Sequence, residues 1–207
     1  STLKRKKLWR DKSSFQVSNK KLSNIMSHLL GNAIKRFERS CLFRNIAFNH
    51  TNDFLAAFEK AYPHYQPKDL VDVDFIFRPG AVEQARLKAA QQGAPVYMYL
   101  FTWESPVMNG SLRSTHCMEI PFVFDNVTRH ASMTGGSGKA QILAQKMSSA
   151  WINFARTGNP NHESLPQWDP YTAQKGATMC FDNVCEEKYN HDKELMELLR
   201  AFPTRGF

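Results

Sequence analysis

The sequence predicts an α/β protein, and two observations predict it. A stretch of good helix formers, "PGAVEQARLKAAQQGAP" (79–95), runs directly into "VYMYLFTWE" (96–104), an apolar and aromatic run too short for a helix. Further along, "KAQILAQKMSSAWINFART" (139–157) carries a helical apolar face and is followed by a second short apolar run, "ATMCFD" (177–182). Helices alternating with buried strands make a sheet covered by helices.

Each element has its own signal. Residues 1–21 are polar and basic and read as poorly ordered. The stretch "LSNIMSHLLGNAIKRF" places Leu22, Ile25, Met26, Leu29, Leu30, Ala33, Ile34 and Phe37 at the spacing of an amphipathic helix near 22–38. Gly31 weakens that helix by about 1 kcal/mol. "DFLAAFEKAYP" reads as a short helix stopped by Pro63. In 79–95, Gly93 is expected to cap the helix and Pro95 to prevent its continuation. The run 96–103 is read as a strand buried on both faces. In 139–157, Leu143, Met147, Trp151 and Phe154 share one face, with Gly158 and Pro160 beyond the end. "NPNHESLPQWDPYTAQKG" reads as a surface loop and "ATMCFD" as a short final strand. "HDKELMELLRAF" reads as a closing helix, with His191 or Asp192 near its start.

Composition narrows the class. The 207 residues suffice for one domain with a core, and 42% hydrophobic with 22% charged residues describes a globular chain. No apolar run reaches the ~18 to 20 residues that span a bilayer. The basic start lacks an apolar core and cleavage site, so it does not read as a signal peptide, and the cytoplasm is the default location. The absence of an initiator Met fits a fragment or a processed product. The net charge of +8 is uneven: residues 1–44 hold 12 Lys/Arg and 2 acids, the remainder 15 and 17. That asymmetry sets a boundary between a basic extension, 1–50, and the rest, 51–207. Cys41, Cys117, Cys180 and Cys185 show no C-x-x-C spacing. The expectation is four buried thiols, with a Cys180–Cys185 disulfide the other choice.

Several blocks occur in a fixed order: "GAPVYMYLFTWESPV", "HCMEIPFVFDNV", "KMSSAWINFARTGNPN", "LPQWDPY" and "ATMCFD". Together they resemble the C-terminal part of the carboxylesterase type B family, which are α/β-hydrolase fold enzymes. The resemblance covers roughly residues 54–205 and implies an incomplete α/β-hydrolase sheet preceded by a basic helical extension. In that family the histidine opening the H-x-x-E-[IL]-x-[FY]-[VI]-F block is the catalytic base, which carries over to His116. An imidazole of ordinary pKa near 6.5 can take a proton from a serine hydroxyl and return it to the leaving alcohol. A carboxylate on its other nitrogen fixes the tautomer.

The partners of that base are missing. In α/β-hydrolases the order is Ser, then Asp or Glu, then His. No two of the ten glycines stand four apart, so G-x-S-x-G is absent, and so is the Gly-rich oxyanion loop. "TGGSGKA" (134–140) has Lys139 in place of the last glycine and reads as a turn into the next helix. Asp53 and Glu59 stand closer to His116 in sequence than the family places its acid, so they read as helix-start or solvated carboxylates. Glu119 reads as a hydrogen-bonding support rather than a reactant. His-x-x-Glu alone is no metal site, because zinc needs three or four converging ligands. No cofactor is implied.

For the basic extension three readings compete: a cover for an incomplete sheet, a helix on an anionic membrane, and a nucleic-acid tail. "KRKK" without a recognised module does not support the last, so no nucleic acid is expected. A dimer is another way to cover the sheet. The sequence thus predicts the C-terminal fragment of a carboxylic ester hydrolase, inactive by itself, acting on small-molecule esters when completed. The competing reading is a non-catalytic hydrolase relative kept as a binding module.

Overall fold

The structure, a computed structural model, describes residues 51–64 and 74–201. The expected helix near 22–38, the expected disorder of 1–21 and Cys41 all lie outside the described residues. The chain divides into two compact units, Ser1–Pro79 with Glu194–Phe207, and Gly80–Lys193.

In the first unit, α1 (Thr51–Ala61) has Asp53 in its first turn and Lys60 in its last, each favourable to the helix dipole. Phe54, Ala57 and Phe58 are buried, the i, i+3, i+4 stripe of a helix with one dry face. Phe58 stacks against Tyr62 at 5.1 Å, and Pro63 follows where the helix has ended. The buried Arg78 guanidinium donates to the Tyr62 hydroxyl at 3.0 Å. The closing helix here numbered α6 (Lys193–Ala201) buries Leu195, Met196 and Leu199. Lys60 and Glu194 form an ion pair, but both are more than 60% exposed, so it adds little.

The helix α2 (Asp74–Ala90) carries the unit boundary at Pro79. It begins five residues before the expected start, with the proline inside it. It ends at Ala90 rather than at a glycine cap, and Gln92, at φ 53°, takes the left-handed position expected of Gly93.

The second unit is built on a three-stranded sheet ordered β1–β2–β3. Strand β1 (Met98–Phe101) runs parallel to β2 (Ala177–Phe181), with Met98 opposite Thr178 and Phe101 opposite Phe181. Strand β3 (Glu186–Tyr189) pairs antiparallel with β2. Parallel neighbours need a long crossover, and here it contains α3 (Ile120–Val123), α4 (Ala131–Thr134) and α5 (Gly138–Thr157). Ser137 caps α5 by accepting from the Ala140 N–H at 3.3 Å, and Gly158 closes it at φ 75°.

Helix α5 and the sheet enclose the core. Leu143 and Met147 meet Met118, Phe122, Met179 and Phe181, all essentially without exposure. Tyr99 packs edge-on against Trp151 at 5.0 Å, and Phe101 meets Phe122 with tilted rings, also at 5.0 Å.

Four expectations are corrected. The strand at 96–103 has only four residues, and all are half-buried, because β1 lies at the end of the sheet. "ATMCFD" is not the last strand, since β3 follows it. The loop 159–176 does not lie wholly on the surface: Pro160, Leu165, Trp168 and Tyr171 are buried, and Asn161 holds Trp168 through both of its backbone groups at 2.7 and 2.9 Å. Cys117 is exposed, whereas Cys180 and Cys185 are reduced and buried. The second of these points its sulfur at the Asp182 carbonyl, 3.5 Å away, and burial pushes its thiol pKa up.

Candidate active site

The site begins where β1 ends. The Thr102 and Trp103 N–H groups both donate to the Phe181 carbonyl, at 2.9 and 3.1 Å, so the chain leaves the sheet at a fixed point. Trp103 then turns into the core and stacks on Phe122 at 4.9 Å. Residues 104–115 form a loop that returns to its own start. The Ser105 N–H donates to the Arg113 carbonyl at 3.2 Å, and the Ser114 hydroxyl donates to the Trp103 carbonyl at 2.6 Å. Arg113 donates to both Glu104 oxygens at 2.8 Å. These three ties bring residue 114 back beside the C-terminal end of β1, the end where open α/β sheets place their chemistry.

His116 follows two residues later, exposed in a turn. The turn is fixed from beyond it. The Met118 N–H donates to the Thr115 carbonyl at 3.0 Å, and the Cys117 backbone is left-handed, φ 66°. Met118 and Phe122, four apart and fully buried, face the core, and Pro121 sits in the first turn of α3. The imidazole is thus presented to solvent by two anchored segments. Glu119 is half-buried, and its charge acts on the Tyr99 phenol, whose pKa is raised mainly by burial and secondarily by that carboxylate.

Asp53 and Glu59 are exposed on α1, in the first unit. "TGGSGKA" forms the turn that enters α5, with Gly135 at φ 69°. A Cβ on Gly135 would lie 3.0 Å from the Pro106 ring, so the turn packs directly on the loop after β1. Among the described residues no three His, Cys, Asp or Glu side chains gather as metal ligands would. Sequence reasoning missed Ser114 and the Glu104–Arg113 pair, which hold the histidine loop shut. Polar residues in a loop carry no periodic signal of what they bind.

The carboxylesterase family profile matches residues 5–196. The chain belongs to the carboxylesterase family. The match takes in most of the basic segment that sequence reading set apart. Among the similar proteins, para-nitrobenzyl esterase of Bacillus subtilis is 33% identical over 137 residues, 64% of this chain and 26% of that protein. Phenmedipham hydrolase of Pseudarthrobacter oxydans is 32% identical over 110 residues, 51% of this chain and 22% of its own length. Among solved structures, an esterase of Clostridium hathewayi described as hydrolysing aliphatic aromatic polyesters aligns with a TM-score of 0.63. It is 35% identical over 85% of this chain and 34% of that one. A carboxylesterase of Geobacillus stearothermophilus aligns at 0.59, 26% identical over 90% and 37%. This carboxylesterase chain therefore spans about a third or less of the relatives it matches, and its three-stranded sheet with flanking helices is of the α/β-hydrolase kind.

Proposed function

We propose that this carboxylesterase chain supplies the general base of a serine-type carboxylic ester hydrolase, and that His116 is that base. The supporting observation is its placement: an exposed imidazole, on a turn anchored by Met118 and Phe122, just past loop residues tied to the end of β1. In such a reaction the imidazole takes the proton of a nucleophilic hydroxyl as that oxygen attacks the ester carbonyl. It then returns the proton to the departing alcohol. The hydroxyl must come from outside the 207 residues, because no G-x-S-x-G occurs within them. Base, nucleophile and oxyanion donors act as a unit, so the isolated chain should not turn over esters by this route.

The test fuses the part of para-nitrobenzyl esterase that this chain does not match ahead of the 207 residues, and follows p-nitrophenyl acetate hydrolysis. His116→Ala in the fusion should lower kcat by about 10⁴-fold or more. An undiminished rate would remove His116 from the mechanism. A serine-directed fluorophosphonate should not label the 207-residue chain alone, and labelling that depends on His116 would show that another serine serves it.

A further inference from the structure

We infer that Arg113, clamped to Glu104, is a positioning residue for His116: it fixes the direction in which the loop after β1 delivers the imidazole. The inference rests on the reading of His116 as the general base. Arg113 has φ 50°, the left-handed region that a residue with a Cβ adopts at a cost. Met108 and Asn109, both at φ 55°, and Gly110, at φ 76°, bend the same loop in the same sense. A side chain stays in that region where its surroundings over-determine it. Arg113 is fixed through its backbone and through its side chain. Its carbonyl accepts from the Ser105 N–H at 3.2 Å, and its Nη1 lies 2.8 Å from each Glu104 oxygen.

The post to which Arg113 is clamped is itself anchored. Glu104 stands between Trp103 and Ser105, both buried. Trp103 stacks on Phe122, and the Ser105 hydroxyl donates to the Met133 carbonyl of α4 while accepting from the Val107 N–H at 3.1 Å. The ion pair is partly exposed, 33% for Arg113 and 54% for Glu104, so its weight in global stability should be small. What it controls is local: the heading of the chain as residues 114–116 leave the loop.

His116 lies in a short span between two fixed points. Upstream are Arg113 and Ser114, whose hydroxyl donates to the Trp103 carbonyl at 2.6 Å. Downstream is Met118, without exposure, whose N–H donates to the Thr115 carbonyl at 3.0 Å. Between Ser114 and Met118 stand only Thr115, His116 and Cys117. So short a span passes a rotation at 113 on to the imidazole rather than absorbing it. A misplacement of about 1 Å can cost on the order of 100-fold in rate. Ser114 keeps its own bond when the clamp is lost, so the fall should be nearer 10-fold. Groups that bind the ester elsewhere are untouched, so kcat should change and KM should not.

Two measurements test the inference. In the 207-residue chain, Arg113→Gln or Glu104→Gln should speed exchange of the Ser105 and Met118 amides by about 10-fold and leave those of α5 unchanged. In the fusion with the unmatched part of para-nitrobenzyl esterase, Arg113→Gln should lower kcat by about 10-fold and hold KM within about twofold. Arg113→Lys, whose one nitrogen can meet both carboxylate oxygens as Nη1 does, should recover most of both effects. Added salt should lower kcat of the parent fusion toward that of Arg113→Gln, because it screens the exposed pair. Unchanged exchange at Ser105 and Met118 overturns the inference. So does an unchanged kcat in a fusion whose hydrolysis depends on His116, and so does loss of α5 protection, which would make Arg113 a support of the fold at large. Where hydrolysis ignores His116→Ala, the base reading fails by itself. Faster exchange at Met118 then still supports a turn held by Arg113, and unaltered exchange overturns it.

Discussion

Thr134 has no exposure, yet its hydroxyl is fully engaged. It donates to the Val127 carbonyl at 2.7 Å, lies 3.2 Å from the His130 carbonyl, and accepts from the Gly136 N–H at 3.2 Å. One side chain thus ties the end of α4 to the turn that starts α5. Thr134→Val keeps the shape and strands those backbone groups, and it should cost about 1–3 kcal/mol in urea unfolding. A change under ~0.3 kcal/mol would mean that water replaces the hydroxyl, which the absence of exposure argues against. Ser105 does a similar job one loop away, donating to the Met133 carbonyl and accepting from the Val107 N–H at 3.1 Å. Both residues tie together the backbone segments around the histidine loop.

At the scale of elements, α5 separates two kinds of stabilisation. Ser137→Ala removes one cap bond and should cost about 1 kcal/mol. Met147→Ala opens a cavity against the sheet and should cost about 2–5 kcal/mol. Equal costs would deny that packing, rather than capping, holds the helix. This helix was the most legible element, because its stripe, its end glycine and its following proline all agree. Phe154 is the exception: the stripe places it inward, but it is exposed beside Tyr97, and sequence periodicity does not report what lies opposite a face. Strand β3 was illegible for a related reason. "EEKY" has no apolar alternation, since an edge strand can be held by one neighbour and by polar pairs. Of the candidate site, His116 was singled out only through its flanking blocks, and the loop ties beside it gave no signal in the sequence.

The β2–β3 side also carries a pH-dependent cluster. Lys175, hydrogen-bonded to Asp169 at 3.1 Å, holds that carboxyl below its ordinary range. Tyr189 donates to Glu187 at 2.6 Å and lies 3.2 Å from Asp169, and Glu187 chiefly holds the phenol above its ordinary value. A depressed carboxyl stabilises above its unfolded pKa, and that contribution is lost as pH falls through the folded value. A raised phenol stabilises below its unfolded pKa, and the contribution fades as pH climbs through the folded value. The cluster should therefore act fully between about pH 4 and pH 10. Tyr189→Phe should weaken the alkaline part of the melting profile, leaving the part due to Tyr97, Tyr99 and Tyr171, whose phenols burial also raises. An unchanged alkaline limb would show that the phenol is not held. The cluster is exposed, so the effect should be small.

The whole molecule joins a charged stretch to a neutral body. Residues 1–44 hold 12 of the 27 Lys/Arg and 2 of the 19 acids, so the positive charge of the chain belongs to them. Every described residue of the apolar core of the second unit, by contrast, lies between Tyr97 and Cys185. Deleting residues 1–44 should therefore change charge and core independently. The remaining chain has 15 Lys/Arg against 17 acids, and at pH 7.5 it should pass through a cation exchanger that retains the full protein. Its near-ultraviolet circular dichroism, now due to Trp103, Trp151 and Trp168, should persist and be lost in one cooperative melt, because these rings pack within that core. A shortened chain with no near-ultraviolet signal would show that the second unit needs the basic segment to fold, and the two parts would then have to be treated as a single cooperative structure.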